Sequence, residues 1–235
     1  MTQLDSVSRP LVDVDLGELR AVSEELERKP ASATVKWAAE RFGTGVVLAA
    51  SFQDCVLLDV AVRVVPDIEV VFLDTQYHFP ETLEYVEQVR AKYDLNLRTM
   101  EPLVEPDDLW EIDTDECCTL RKVEPLARAL QGRDAWMTGV RRSESPTRAT
   151  TPIVHLDVGR GIVKVNPLAP WTEADVQSYK RDHDLPDHPL ASHGYPSVGC
   201  WPCTRAVAPG EDARAGRWAG TGKMECGLHG WPERS

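Results

Sequence analysis

Short, unbroken apolar runs alternating with amphipathic stretches constrain this chain more than any other feature of its sequence. The first run, Val46-Val47-Leu48-Ala49-Ala50, is too short for a buried helix and apolar on both faces of the pleat. Strands covered on both sides by helices read this way. Further strands are predicted over residues 69–73, 95–100 and 135–140. Between them, residues 55–65 (stopped by Pro66), 81–93 (with Leu83, Val86 and Val89 apolar) and 117–130 carry helical spacing. Upstream, Leu16, Leu19, Val22 and Leu26 mark a helix over 15–29, and a second helix over 33–42 closes on Gly43. Strands separated by helices of this length need right-handed crossovers. The predicted fold class is therefore α/β, with a doubly wound, mostly parallel sheet. Such sheets bind ligands beyond the carboxyl ends of their strands, where residues 51–54, 74–80 and 141–150 form loops.

The pattern changes toward the end of the chain. Residues 153–157 and 162–165 flank Gly159-Arg160-Gly161 and predict a hairpin. Thr172 and Asp175 resemble a capping box that opens a helix ending near His183. From residue 185 onward Pro, Gly and His dominate and periodicity is lost, although three of the six cysteines lie there. This divides the chain into an N-terminal extension (1–14), an α/β domain (15–184) and a cofactor-organised C-terminal tail (185–235).

A net charge of −12 excludes a basic nucleic-acid footprint. No apolar stretch is long enough to span a bilayer, and residues 1–15 do not resemble an export signal. A soluble, cytoplasmic protein is expected. Any anionic ligand then needs cations gathered locally, and Arg121-Lys122, Arg141-Arg142 and Arg214/Arg217 are the candidates. Arg141 and Arg142 are both expected to face the crevice.

In a reducing compartment, clustered cysteines read as metal ligands or redox groups. Cys117-Cys118 and Cys200-Trp201-Pro202-Cys203 supply four thiolates, a set that suits an iron–sulfur cluster or tetrahedral zinc. Adjacent cysteines reach one small ion with difficulty but can each take a separate corner of a cubane, which favours the cluster over zinc. Cys226 stands apart, flanked by Lys223 and His229; nearby cations lower a thiol's pKa toward the nucleophilic thiolate. Cys55, at the head of an apolar run, reads as a small buried hydrophobe.

Five segments together resemble the assimilatory sulfonucleotide reductases. They are Ser51-Phe52-Gln53-Asp54, the stretch from Leu73 to Thr82, Cys117 to Leu126, the Cys200/Cys203 pair, and Glu225-Cys226-Gly227-Leu228-His229. The resemblance covers residues of about 40 to 230. It implies an adenine-nucleotide alpha-hydrolase-like fold, related to the pyrophosphatase-loop ATPases. In those enzymes the first loop is Ser-Gly-Gly-x-Asp-Ser. Here Phe52 and Gln53 replace the paired glycines, which discourages close backbone approach to a pyrophosphate.

Within that family the four-cysteine members are similar to iron–sulfur adenosine 5′-phosphosulfate reductases. The resemblance implies a [4Fe-4S] cluster on Cys117, Cys118, Cys200 and Cys203, with Cys226 as nucleophile. Lys122 matches a lysine held close to cluster and substrate. Arg214, Arg217 and His229 match residues that reach the sulfate and phosphate groups, and Ser51 and Thr75 match nucleotide-loop positions. The implied reaction yields sulfite and AMP through an S-sulfocysteine, with thioredoxin as reductant. The alternatives are a reductase of 3′-phosphoadenosine 5′-phosphosulfate, or an ATP-dependent enzyme with a structural metal.

Overall fold

In the computed structural model, which describes residues 14–229, two helices precede the sheet: α1 (Leu16–Leu26) and α2 (Ala31–Phe42). Asp15 starts α1 by accepting the amides of Gly17 and Glu18, donors that a helix start leaves open. Then follow β1 (Val46–Ala50), α3 (Val56–Val64), β2 (Val70–Leu73), α4 (Pro80–Tyr93) and β3 (Leu97–Met100). The chain continues through α5 (Leu109–Ile112), α6 (Thr114–Cys118), a π-helical turn (Thr119–Val123), α7 (Glu124–Ala129) and β4 (Ala135–Thr138). The predicted hairpin is present as β5 (Val154–Asp157) and β6 (Ile162–Val165), followed by α8 (Glu173–Asp182). Thr172 and Asp175 do form the capping box at its start.

The strands make one sheet in the order β3-β2-β1-β4-β6-β5, parallel throughout except for the β5–β6 pair. The predicted doubly wound, mostly parallel α/β sheet is the observed one. Leu48 of β1 lies opposite Val70 of β2 and Met137 of β4, so the pleats align across the sheet. One face carries Leu48, Val70, Phe72, Met137 and Val163 into a core with Val35, Leu58, Tyr85 and Val176 from α2, α3, α4 and α8. The other face presents Val47, Val71 and Trp136 to Leu126, Ala129 and Leu130 on and after α7. Each such side chain contributes about 1.5–3 kcal/mol by leaving water, which is why these runs are apolar on both pleat faces. At the β5 edge, which α1 covers, the Val154 amide donates to Ser23 Oγ of α1 at 3.2 Å, removing a free strand donor.

The predicted helix over 117–130 differs in two ways. It begins earlier, at Thr114, because Asp113 accepts the amides of Asp115 and Glu116. It also widens into the π-helical turn, where the Glu124 amide reaches back to Thr119. Pro125 explains the widening: it has no amide for the Arg121 carbonyl, and its ring would collide with that carbonyl in a regular turn.

After α8 the chain crosses back over the carboxyl ends of the strands as a strap, residues 185–229, held by side chains. Tyr85 donates to the Pro186 carbonyl at 2.8 Å, and Thr82 pairs with His188 at 3.0 Å. A bridge joins Thr204 to Arg217, and another joins His78 to Cys200. Of the expected extension, residues 1–13 lie outside the described residues.

Candidate active site

The strand order reverses between β1 and β4, and a cleft of about 210 Å³ opens at their carboxyl ends beneath the strap. Ser51, Thr75, Lys122, Arg141, Arg214, Arg217, Cys226 and His229 all line it. Three residues on the loops around it hold left-handed backbone despite their side chains: Phe52 (φ 55°), Gln76 (φ 66°) and Trp218 (φ 47°), the last of which lines the cleft. Of these, Phe52 and Trp218 are buried. A bulky residue in that region costs energy that packing must over-determine, and such strain gathers at functional sites. Phe52 meets Phe72 edge to face at 5.3 Å, so the ring that replaces a glycine anchors the loop in the core. Gln53 Oε1 accepts from the Ser197 hydroxyl and the Val198 amide, each at 3.3 Å, tying this loop to the strap.

Cations dominate one wall. Lys122 is buried; desolvation alone would push its ammonium down, but Cys200, Cys226 and Cys118 outweigh it and hold the group up. Arg217 donates to Ser197 Oγ at 3.2 Å and to the Val198 carbonyl at 3.1 Å. Gly199 lets this guanidinium lie flat on the backbone, since a Cβ there would come within 2.3 Å of it. Arg214 donates to the Met224 carbonyl at 3.1 Å. Arg141 is buried and paired with Glu144 and Glu173, so its charge is matched within the protein.

Beside the cleft lies a smaller cavity lined by Cys117, Cys118, Cys200 and Cys203, with Tyr77, Trp110, Arg121 and Lys122. α6 ends on the first two cysteines, while Cys200 precedes a 3₁₀ turn (Trp201–Cys203) that ends on Cys203. The Trp201 amide donates to the Tyr77 carbonyl at 2.8 Å, and Thr75 Oγ1 lies 3.3 Å from Cys200 Sγ. Burial, together with Cys118, Cys200 and Cys203, pushes the Cys117 thiol up to about 11. Among the described residues, no three His, Cys, Asp or Glu side chains converge tightly enough to hold a single metal ion. Four thiols around one cavity, set too wide for one ion, could hold a group that offers each sulfur its own corner. Lys122 lines both cavities.

The phosphoadenosine phosphosulfate reductase domain profile matches residues 45–206. The adenosine 5′-phosphosulfate reductase of Streptomyces coelicolor is 49% identical over 225 residues, 91% of this chain and 95% of that protein. The chain belongs to the phosphoadenosine phosphosulfate reductase domain family. A phosphoadenylyl-sulfate reductase structure from Candida auris, in a phosphate complex, superposes with a TM-score of 0.74 at 28% identity, covering 84% of this chain and 100% of that one. An FMN adenylyltransferase of Candida glabrata shares the fold alone, with a TM-score of 0.57 and 16% identity over 80% of this chain and 71% of that chain. The reductase domain thus has the adenine-nucleotide alpha-hydrolase-like fold that the resemblance implied.

Two placements in the site differ from expectation. Arg142 does not face the cleft. It turns outward to the Thr151 carbonyl at 2.8 Å and to Oε2 of Glu27, just past α1, at 2.9 Å, because Arg141 is extended while Arg142 opens a 3₁₀ turn (Arg142–Glu144) that sends its side chain the other way. The residues that flank Cys226 in sequence are also not the cations that face it. Lys223 reaches Asp115 and the Thr114 carbonyl, each at 2.7 Å. Burial and then Lys164 hold the His229 imidazole well below its ordinary range, so it is neutral. The cation beside Cys226 is Lys122. Cys55 is buried as expected, and desolvation pushes its thiol up.

Sequence reasoning missed Arg148, Glu225, Lys164 and Trp136. Arg148 meets Glu225 across 77 residues of chain. His229 stacks on Trp136 at 5.9 Å and pairs with Lys164 through Nδ1 at 3.1 Å. The only signal for any of them was that Glu225 adjoins Cys226 in a short motif.

Proposed function

We propose that this chain reduces adenosine 5′-phosphosulfate to sulfite and AMP in sulfate assimilation, with Cys226 as nucleophile and thioredoxin as reductant. The observation that carries this reading is the meeting of Cys226 with Lys122, Arg214 and Arg217 in a cleft at the strand carboxyl ends, directly beside four further cysteines. The Streptomyces coelicolor relative bears the name of that activity at 49% identity.

The Cys226 thiolate attacks the sulfuryl sulfur; an S–Sγ bond forms as the sulfur–oxygen bond to the adenylate breaks, and AMP leaves with the electron pair. Lys122, Arg214 and Arg217 stabilise charge on the sulfuryl and phosphate oxygens without reorganising. With Lys164 donating to its Nδ1, neutral His229 keeps its proton on Nε2 and offers a hydrogen bond rather than a charge. Ser51 and Thr75 serve the nucleotide from the loops after β1 and β2. A thioredoxin thiolate then attacks Cys226 Sγ, sulfite departs with the bonding pair, and thioredoxin's second thiol resolves the mixed disulfide.

Cys117, Cys118, Cys200 and Cys203 would hold a [4Fe-4S] cluster. Bound there, it would order the strap and supply a fixed charge beside Lys122. Six free thiols, three of them on the strap, suit a reducing cytoplasm. No helix among the described residues is long and apolar enough to cross a membrane. An ATP-dependent reading is disfavoured by Phe52, whose buried ring takes the place of a phosphate-cradling glycine.

The test is a sulfite-release assay in which the nucleotides with and without the 3′-phosphate compete, run beside iron and acid-labile sulfide assays on anaerobically purified protein. Preference for the nucleotide lacking the 3′-phosphate, and about four irons per chain, are expected. Stoichiometric zinc without labile sulfide, or preference for the 3′-phosphorylated form, overturns the corresponding part.

A further inference from the structure

The carboxylate next to the nucleophile is the most tightly held group on the strap. Glu225 Oε1 accepts from Ser145 Oγ at 3.2 Å, Thr147 Oγ1 at 3.0 Å and Arg148 Nε at 2.8 Å. Its Oε2 accepts from a terminal nitrogen of Arg148 at 2.6 Å. These three partners lie on one short loop after β4, and Arg214 of the strap adds a longer ion pair to Oε2 at 3.6 Å. That loop is itself compact: the Ser145 and Thr147 hydroxyl oxygens lie 2.6 Å apart, and Arg148 also pairs with Glu144. A forked guanidinium on a carboxylate has one favoured geometry, so it fixes direction as well as position.

The charge arrangement excludes a substrate-binding role for this carboxylate. A free carboxylate in a cleft for a multiply anionic nucleotide would repel it. Here Arg148 neutralises the group and occupies both oxygens. Burial pushes the Glu225 carboxyl up, but Arg148, then Arg214 and Thr147, outweigh it and keep it ionised. The residue is therefore neither a general acid nor a ligand for sulfate. What remains is its place one peptide before Cys226.

Resting on the reductase reading above, we infer that Glu225 is a positioning residue: its pair with Arg148, aided by Ser145 and Thr147, seats Cys226 in the cleft for attack. The thiolate must approach the sulfuryl sulfur opposite the departing oxygen, and a shift of about 1 Å in such a reaction can cost about 10²-fold. Gly227 (φ 82°) turns the chain immediately after Cys226, so the seat before it and the turn after it set the thiol's direction.

Glu225→Gln preserves the shape and removes the charge. Its kcat for sulfite release should fall about 10- to 100-fold while KM stays within about threefold. Without nucleotide, alkylation of Cys226 by iodoacetamide, followed by peptide mapping, should run several-fold faster as the seat loosens. Arg148→Gln should match it, and the double variant should be no worse than the poorer single one. Thr147→Val, a milder change, should move both readouts the same way by a smaller factor, so the inference does not depend on Glu225→Gln folding well. Unchanged kcat and alkylation in Glu225→Gln, or costs that multiply in the double variant, overturn the inference. If the parent enzyme makes no sulfite, the reductase reading fails, while the alkylation comparison still decides whether Glu225 seats Cys226.

Discussion

Asp59 and Glu225 are both carboxylates held below their ordinary range, one in the body of the molecule and one in the strap. In each, burial pushes the carboxyl up and hydrogen bonds outweigh it. Asp59, on α3, accepts from Arg63 at 2.6 Å, Tyr179 at 2.7 Å and Tyr93 at 2.9 Å, and so clamps α3 to α8 and α4. Glu225 ties the residue before Cys226, the proposed nucleophile, to one loop. The same chemistry serves cohesion in the body and placement in the strap. The body's helices and strands satisfy their own backbones and bury apolar faces. The strap has two short 3₁₀ turns and isolated bridges, so side chains do what regular structure does elsewhere.

If the two regions are separable in this way, strap variants should lose activity without losing the sheet, and body variants the reverse. Cys226→Ser is the largest expected effect. A hydroxyl is a far weaker nucleophile at neutral pH, so sulfite release should fall by on the order of 10⁴-fold or more. Stability of the body, followed by chemical denaturation, should stay within about 0.5 kcal/mol. Intact mass after incubation with nucleotide but no thioredoxin should show one SO₃ on the parent protein and none on the variant. An adduct on Cys55 would break the comparison, because Cys55 belongs to the buried body.

Cys118→Ser comes next. It should bleach the cluster and lower activity by about 10- to 100-fold. Hydrogen exchange should quicken across residues 185–229 and stay slow in β1 and β4. Equal loss of protection in both regions would show that strap and sheet fold as one unit.

The difference between the regions also explains what the sequence could disclose. Val46 to Ala50 announces a buried strand because its neighbours in sequence carry the signal, and Thr172 with Asp175 announces a helix start in the same local way. Asp113 carried such a signal too, an N-cap four residues before Cys117, which would have moved the helix start to Thr114. The Cys117/Cys118 and Cys200/Cys203 pairs were legible because thiols are rare and clustered. Arg148 was not: it is one of many arginines, and its partner Glu225 lies 77 residues away. Arg141 and Arg142 could not be told apart without the backbone direction of the loop. The pairing of His229 with Lys164 depends on a strand register that no single segment encodes.

Asp59→Asn tests the body. Asp59 is buried but its partner Arg63 is half exposed and stays hydrated, so weakening the hydrogen bonds to the charged carboxylate should cost about 1.5 kcal/mol at pH 7. The linkage has a definite sign. With its folded pKa below the ordinary 3.8, Asp59 contributes stability in full above that value and loses it as pH falls through the lower folded one. The gap between variant and parent should therefore close in acid, measured by denaturation midpoints at pH 7 and pH 3. Alkylation of Cys226 should not change. A rise there would mean that the body clamp also sets the strap.

Lys164 lies where the two regions touch and should show the smallest effect, with opposite signs in each. It is buried on β6, 4.8 Å over the Trp136 ring, and donates toward His229 on the strap. Burial lowers its ammonium to about 8; Asp157 opposes that shift, while Arg160 and Arg148 add to it. Between about pH 8 and the ordinary 10.5 the unfolded chain binds the proton that the folded one has lost, so stability rises with pH in that window. Below it the buried charge is a standing cost. Lys164→Met fills the space without the charge and should stabilise the body by about 1–2 kcal/mol at pH 7. The gain should shrink as pH rises through that window and vanish above 10.5, the ordinary value, where the parent's lysine is neutral in both states. On the strap the same change removes the donor that fixes the His229 tautomer, so kcat/KM should fall about 2- to 10-fold while the fold gains stability, within the range of a single hydrogen bond. Denaturation midpoints at pH 7 and pH 10, set beside initial rates of sulfite release, give both signs. A variant less stable at pH 7 than the parent would show that Lys164 holds the body together instead of lending stability to the strap at the body's expense.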